Sequence, residues 1–405
     1  MTLGERIRTL RKARKMTLQQ LAGDAITKGM LSLIENNKAK PSMESLQHIA
    51  SMLGVTVSEL LEESSQEKKA LVKMVEDLFL PLDFPNVPVL QQILTLITPY
   101  LSSLSRGYID GRLLDLYSRA AYELGQSDWE QYSKKAIHIY EENQIVRRLI
   151  SLKLFRILTN FRERKYELAL DLLLKERQQL EESNAWSDPL TRLDLDYTEA
   201  IFYYAVGQEE KALETMHTAI EFSKSQKILY RLDHLYRLAA VHAVMAMDKK
   251  QVEQYVKRLE AYADFTDDTE THGFIAFLWI HYYTTFERDI PKAEQLLDEL
   301  MNTMEEDKDS NSEKVEMAKI AYYKGEEHRA LELLLENETP SYISHPIDLS
   351  IYSEREYYLA KIYADRGEIQ KALAIVEESW KTLQTFFETP YQVQMKQLRD
   401  ELLAK

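Results

Sequence analysis

The feature that most limits what this chain can fold into is a spacing that recurs along its C-terminal three quarters. Its clearest copies are AIFYYAVGQEEKALETMHTAI (200–220), AKIAYYKGEEHRALELLLEN (318–337) and AKIYADRGEIQKALAIVEES (360–379). Each carries a small residue, a glycine seven positions later and an alanine five further on: Ala200, Gly207 and Ala212; Ala318, Gly325 and Ala330; Ala360, Gly367 and Ala372. A glycine between two stretches of helical periodicity marks the turn of a helical hairpin, and small residues on either side let its helices approach closely. Indexed on that glycine, the pattern repeats at 125, 164, 207, 247, 288, 325 and 367, with Arg164, Met247 and Arg288 replacing glycine. The second mark is kept by Ala169 and Ala293, while Glu130 and Val252 depart from it. Such a period predicts an all-α array of about seven hairpins, in which each unit buries its apolar face on its neighbours.

These units resemble tetratricopeptide repeats, somewhat longer than the usual ones. The resemblance implies a right-handed solenoid whose concave face is lined by the first helix of each pair. By register that face carries Asp194, Tyr197, Thr198, His234, Arg237, Trp279 and Tyr282, and also Leu154, Glu316 and Lys319. The first five form a polar group suited to a peptide backbone and its termini, and all seven of the first set are the candidate peptide-binding residues.

The N-terminal stretch has a different grammar. Thr17 caps a short helix through Leu18, Leu21 and Ala22; the segment from Gly23 to Ile26 breaks it; Thr27 caps a second helix with Met30, Leu31 and Ile34 inward. Lys28, Gly29 and Ser32 face outward at its leading end. An amphipathic helix over 3–15 precedes this pair. Asn36-Asn37 stops it, Ser42 caps a fourth helix that Gly54 ends, and a short fifth runs from Thr56 to Leu60-Leu61. Residues 2–62 resemble the lambda-repressor-like, Cro/C1-type helix-turn-helix domain, through Thr17, Leu21-Ala22, Ile34-Glu35-Asn36, Lys38, Pro41-Ser42, Leu46, Ile49-Ala50, Leu53-Gly54-Val55 and Leu60. The resemblance implies that Lys28, Gly29 and Ser32 face base edges, and that Thr17, Thr27, Asn36, Lys38 and Lys40 hold phosphates. It also implies a partly buried ion pair between Arg11 and Glu35. Leu18 stands where a base-reading glutamine is frequent and Leu33 where a polar residue is frequent, which shifts weight to readout of DNA shape.

Charge divides the chain in the same place. Residues 1–40 hold nine Lys or Arg against three acids, while residues 65–405 hold 42 against 59. A basic head on an acidic body suits a nucleic-acid module joined to a sensor. Between them, residues 62–80 read as a charged helix with a stripe of Leu71, Val72, Val75, Leu78 and Phe79, ended by Pro81, Pro85 and Pro88. Its stripe needs cover from a second subunit or from the chain's own C-terminal part. The expected domains are therefore 1–64, a linker over 65–88, and the repeat array over 89–405.

With no cysteine, thiolate metal sites, thiol nucleophiles and disulfides are excluded. No phosphate-cradling glycine loop, HExxH pair or nucleophile elbow occurs. A non-enzyme without cofactor or metal is expected, and with no apolar leader or spanning run, a cytoplasmic one.

A Cro/C1-type head, a linker helix and a tetratricopeptide array together resemble the peptide-responsive quorum-sensing regulators of Gram-positive bacteria, the PlcR, NprR and PrgX types, and look most like the NprR/NprA type. The resemblance implies a double-stranded DNA operator, a short signalling peptide in the groove, a homodimer or higher oligomer, and activation of extracellular protease genes. The rival implication, from the related Rap proteins, is an array that binds a response regulator and promotes its dephosphorylation, with Gln91 and Gln92 as the adjacent carboxamides.

Overall fold

At all seven index positions of the repeat the backbone turns left-handed: Gly125, Arg164, Gly207, Met247, Arg288, Gly325 and Gly367 have φ between 54° and 78°. The computed structural model describes all residues except 1–2, 58–59, 61–65, 80–85, 183–187, 304–310, 338–339 and 341. At six of the seven turns the index N–H bonds three residues back and the next N–H bonds five back, as in Gly207 to Tyr204 O (3.1 Å) and Gln208 to Tyr203 O (2.9 Å). This closes the orphan carbonyls at the helix end. Glycine does this without strain; Arg164, Met247 and Arg288 each hold a conformation that costs an L-residue about 1 kcal/mol.

The hairpins are α7–α8 (Gly107–Glu123, Trp129–Glu142), α9–α10 (Val146–Arg162, Tyr166–Glu182), α11–α12 (Pro189–Ala205, Glu209–Gln226), α13–α14 (Leu232–Met245, Lys249–Thr266), α15–α16 (Thr269–Tyr282, Ile290–Thr303), α17–α18 (Asn311–Tyr323, Glu327–Leu335) and α20–α21 (Glu354–Asp365, Ile369–Leu383). A short helix α19 (Pro346–Tyr352) is inserted before the last pair, and α22 (Pro390–Leu403) follows it. The small-residue marks are buried: Ala200, Ala212, Ala293, Ala318, Ala330, Ala360 and Ala372 are all fully covered, and Val252 fills its mark equally well. In the first hairpin the loop is longer, so Ser133 and Ala136, rather than Glu130, take the buried mark. In the fifth, His281 occupies the small-residue position, and the helix continues as a π-turn over Tyr283–Glu287 before Arg288. There Asp289 N–H bonds six residues back to Tyr283 O. That extra residue is what distinguishes this turn from the others.

The chain divides into two compact units, Met1–Phe155 and Arg156–Lys405. The expected division at 64/65 lies outside the described residues. In the first unit the head has its own core of Ile7, Leu21, Ala22, Leu31, Ile34, Ile49, Leu53 and Leu60. Its helices are α1 (Leu3–Ala13), α2 (Leu18–Ala22), α3 (Lys28–Glu35) and α4 (Met43–Leu53). The expected fifth helix and the start of the linker helix fall partly on residues outside the description, as do Pro81, Pro85 and most of the acidic stretch 305–314. The linker helix α5 (Gln66–Phe79) buries Leu71, Val72 and Val75 against Leu90, Ile93 and Ile97 of α6 (Val87–Ile97) and Leu113 of α7. The chain itself therefore covers the stripe that could have been left for a second subunit, at a gain of about 1.5–3 kcal/mol per buried aliphatic side chain.

Candidate functional site

In the head, capping decides how α3 is presented. Thr17 Oγ1 accepts from Gln20 N (3.2 Å) while Gln20 Oε1 accepts from Thr17 N (2.8 Å), a reciprocal capping box at the start of α2. Thr27 Oγ1 accepts from Met30 N (3.1 Å) and starts α3. Lys28 and Gly29 then stand exposed, with open space around Gly29, and Ser32 is half-buried. Asn36 donates to Ser32 O (2.7 Å) and accepts from Arg8 Nη2 (3.1 Å), so its amide is engaged by the head itself. Lys38 and Lys40 are exposed in the loop that follows. The Arg11 guanidinium grips the buried Glu35 carboxylate at 2.6 and 2.9 Å and also donates to Met16 O (2.8 Å). That bond raises the Arg11 pKa further, and Arg11 is committed to holding α1 on α3. One expectation needs correction. Met30 is 45 % exposed, not inward; the buried side of α3 is Leu31, Ile34 and Glu35. The cap places Leu31 at the inner line, and Met30, one residue earlier, points about 100° away from it.

In the second unit, five candidates for peptide contact come together on α11 and α13 as half-buried side chains. Asp194 Oδ1 accepts from Tyr230 OH and Arg231 Nε, both at 2.8 Å. Tyr197 packs edge-on to His234 with ring centres 5.6 Å apart. Burial raises the Tyr197 pKa, so it remains a neutral donor. Thr198 spends its hydroxyl proton on Asp194 O (2.7 Å). Arg237 donates to Thr271 Oγ1 (2.6 Å) and lies over Phe274, while its Nε is buried with no acceptor. Trp279 is half-buried beside Tyr283. Tyr282 differs from its expected place: at 4 % exposure it sits in the core with Leu278 and Ile280 and offers no open surface. Leu154, Glu316 and Lys319 are likewise buried, not lining a face. Register arguments tolerate no error of one residue: Tyr282 and Lys319, each six residues before its index position, are both buried.

Two arrangements had no sequence signal. Lys319, fully buried, donates to Glu354 Oε2 (2.8 Å), Glu316 Oε1 (3.1 Å) and Thr285 Oγ1 (2.6 Å). His281 bridges Glu316 Oε1 (2.7 Å) and Tyr391 OH (2.6 Å). Thr284 and Thr285, turned by the π-helix, complete the set through bonds to Glu316 and Glu354. His281, Glu316 and Glu354 have the spacing of a metal triad, but the Lys319 ammonium stands where the ion would and supplies the positive charge. Burial pushes the Glu316 pKa up, and Lys319, His281 and Thr284 outweigh it to bring it down to about 2.

His281, Glu316 and Glu354 of this cluster line a cavity of about 190 Å³ together with Val241, Phe274, Phe277, Asp348 and Ile351. The segment leading into α19 contacts two earlier hairpins: Tyr166 OH at the start of α10 donates to Ser344 O (2.5 Å), and His345 Nε2 lies 3.2 Å from Ile201 O of α11. His345 Nδ1 accepts from Ile347 N (3.2 Å), which fixes the neutral tautomer with Nε2 as donor. Burial lowers the His345 pKa in keeping with this and raises that of Asp348 beside it.

The head defines a helix-turn-helix module, and residues 7–60 match the helix-turn-helix family model. Among curated proteins, the immunity repressor protein of Bacillus phage phi105 is 34 % identical over 90 residues, covering 19 % of this chain and 62 % of the relative. The HTH-type transcriptional regulator DdrOP3 of Deinococcus deserti is 46 % identical over 63 residues, 15 % of this chain and 49 % of the relative. The chain thus spans less than two thirds of the length of either. Among solved structures, Bacillus thuringiensis PlcR with the peptide PapR7 and DNA is similar at 21 % identity and TM-score 0.39, over 68 % of this chain and 98 % of that one. Streptococcus thermophilus ComR with DNA and its signalling peptide ComS follows at 18 % identity and TM-score 0.31, over 68 % and 97 %. Among the described residues no helix is long and apolar enough to cross a membrane.

Proposed function

We propose that this chain is a sequence-specific DNA-binding transcriptional regulator whose repeat array takes up a short signalling peptide that switches its activity. The observation that carries the first part is the presentation of α3. Its leading end is capped by Thr27 and exposed through Lys28 and Gly29, and Lys38 and Lys40 stand exposed in the loop after its far end. Arg11 and Glu35 lock it against α1. An exposed helix with basic side chains at its start and in the loop after it fits the major groove between two phosphate rows, and those lysines make its affinity fall with salt. Two heads in a homo-oligomer would read half-sites about one helical turn, or a multiple of one, apart.

Support for the peptide comes from the polar side chains of α11 and α13 and from the cavity beyond them, together with the sequence resemblance to peptide-responsive regulators. A ligand that prefers one arrangement of the array shifts the equilibrium between heads correctly and wrongly spaced, by no more than its difference in affinity for the two. The finer reading, from the NprR/NprA look of the chain, is activation of extracellular protease genes. The test is operator binding by the full chain at fixed salt, with and without synthetic fragments of a small secreted peptide encoded immediately downstream. A tenfold change in affinity is expected; identical affinities would refute the switch. A Lys28→Ala chain that discriminates between operator and random duplex as well as wild type would refute the placement of α3.

A further inference from the structure

The exposed face of α3 ends in two apolar side chains, Met30 and Leu33, at 45 % and 43 % exposure. Three residues apart on a helix, they are neighbours on one side. The head's core is complete without them, because Leu31 and Ile34 fill the space against Ile7, Leu21 and Ile49. Single exposed apolar residues are ordinary. These two form a pair on the element flanked by Lys28, Lys38 and Lys40.

Several polar side chains nearby already have partners within the head. Asn36 is bonded at both ends of its amide, Thr27 caps Met30, and the Gln20 carbonyl is held by Thr17 N. Gly29 has no side chain and Ser32 is half-buried. Lys28 is then the long polar side chain left at the leading end, beside an apolar pair. The base feature in the major groove that favours apolar contact is the C5-methyl group of thymine.

We infer that Met30 and Leu33 read thymine methyl groups, so the duplex this head selects carries thymines opposite this pair. The inference rests on the DNA-binding reading above and adds which chemical feature of the bases is recognised. Methyl burial is a packing interaction, so it requires the operator to approach α3 closely, and the unobstructed surface at Gly29 permits that approach.

The test uses the full chain to select duplexes from a random library, then replaces each thymine of the selected site singly with uracil, which removes the methyl group alone. At two or more positions affinity should fall about fourfold, the value of one buried methyl-sized group. The same replacements should change affinity less than twofold in a Met30→Ala/Leu33→Ala chain. A selected site indifferent to every uracil overturns the inference and leaves DNA binding standing. Methyl-dependent losses that persist in the double variant overturn it as well. A variant that loses self-association while wild type ignores uracil would assign the pair to a protein contact and overturn it too. If selection enriches nothing, the DNA reading itself fails and this inference with it.

Discussion

Replacing Lys319 with methionine removes one charge from the interior of the array and keeps nearly the same volume. The ammonium is fully buried and lies 2.8 Å from Glu354 Oε2 and 3.0 Å from Glu316 Oε2. Without it two carboxylates remain buried side by side, with His281 Nδ1 at 2.7 and 3.6 Å as their remaining ionisable donor. Breaking a buried pair this way costs about 3–5 kcal/mol. The proton linkage gives a comparable figure. Glu316 sits at about 2 in place of 4.5, against a burial effect that pushes it upward. At ~1.4 kcal/mol per pH unit this is worth about 3 kcal/mol of folding stability. The folded value is the depressed one. The contribution is therefore complete above about 4.5 and is lost as pH falls from there towards about 2. In the variant burial acts without the ammonium, so the carboxyl rises above its ordinary value; the penalty is then greatest near neutrality and relaxes as acid protonates it. Hydrogen–deuterium exchange over α15, α17 and α20 reads this locally, which suits an array whose repeats need not unfold together. At pH 7 exchange there should quicken about a hundredfold, and the difference from wild type should narrow towards pH 4. Adding Glu316→Gln should recover most of the loss, since it removes one stranded charge. A change under tenfold at pH 7, or a difference that widens in acid, would refute the electrostatic account.

Other expected outcomes follow from single contacts. Gly4→Ala would place a Cβ 2.2 Å from Ile34 O, so α1 must move off α3. A loss of about 1–3 kcal/mol is expected, and the salt-dependent binding of DNA should weaken with it in anisotropy titrations. Met247→Gly relieves a left-handed residue, φ 54°, that is 60 % exposed. Thermal unfolding should show a gain of about 0.5–1 kcal/mol, while Gly367→Ala at φ 77° should lose a similar amount. Glu35→Ala strands Arg11 and removes its grip on α3. Urea unfolding followed on the head should show a loss of about 3 kcal/mol or more.

Much of the architecture was written in the chain as local rules. The turn residues at seven positions, the capping threonines Thr17 and Thr27, the stop at Asn37 and the Arg11–Glu35 pair all act over a few residues or across one helix contact. The turns, caps and stop are legible because backbone strain, capping and close approach each demand particular residue types, while the Arg11–Glu35 pair was implied by the resemblance to the Cro/C1-type domain. Non-glycine residues at 164, 247 and 288 were recognisable by spacing alone, and the left-handed backbone there confirms that the spacing had a conformational cause.

What the sequence left open depends on which side chains meet across many residues. Met30 changed faces because a periodic stripe admits two assignments one residue apart, and the position of the cap selects between them. Tyr282 and Lys319, placed on the lining by register, are both in the interior, and His281 in a small-residue slot is the local trace of the irregular fifth turn. The Lys319 cluster joins residues from 281 to 391, and the cavity above it joins residues from 241 to 354. No periodicity reports such meetings. The sequence by itself determined that the chain is a capped helix-turn-helix head followed by helical hairpins, because those elements arise from short-range backbone preferences. Only the tertiary structure decided which polar groups are buried, which apolar ones stand exposed, and where a ligand could enter, because desolvation and packing are settled between segments far apart in the chain.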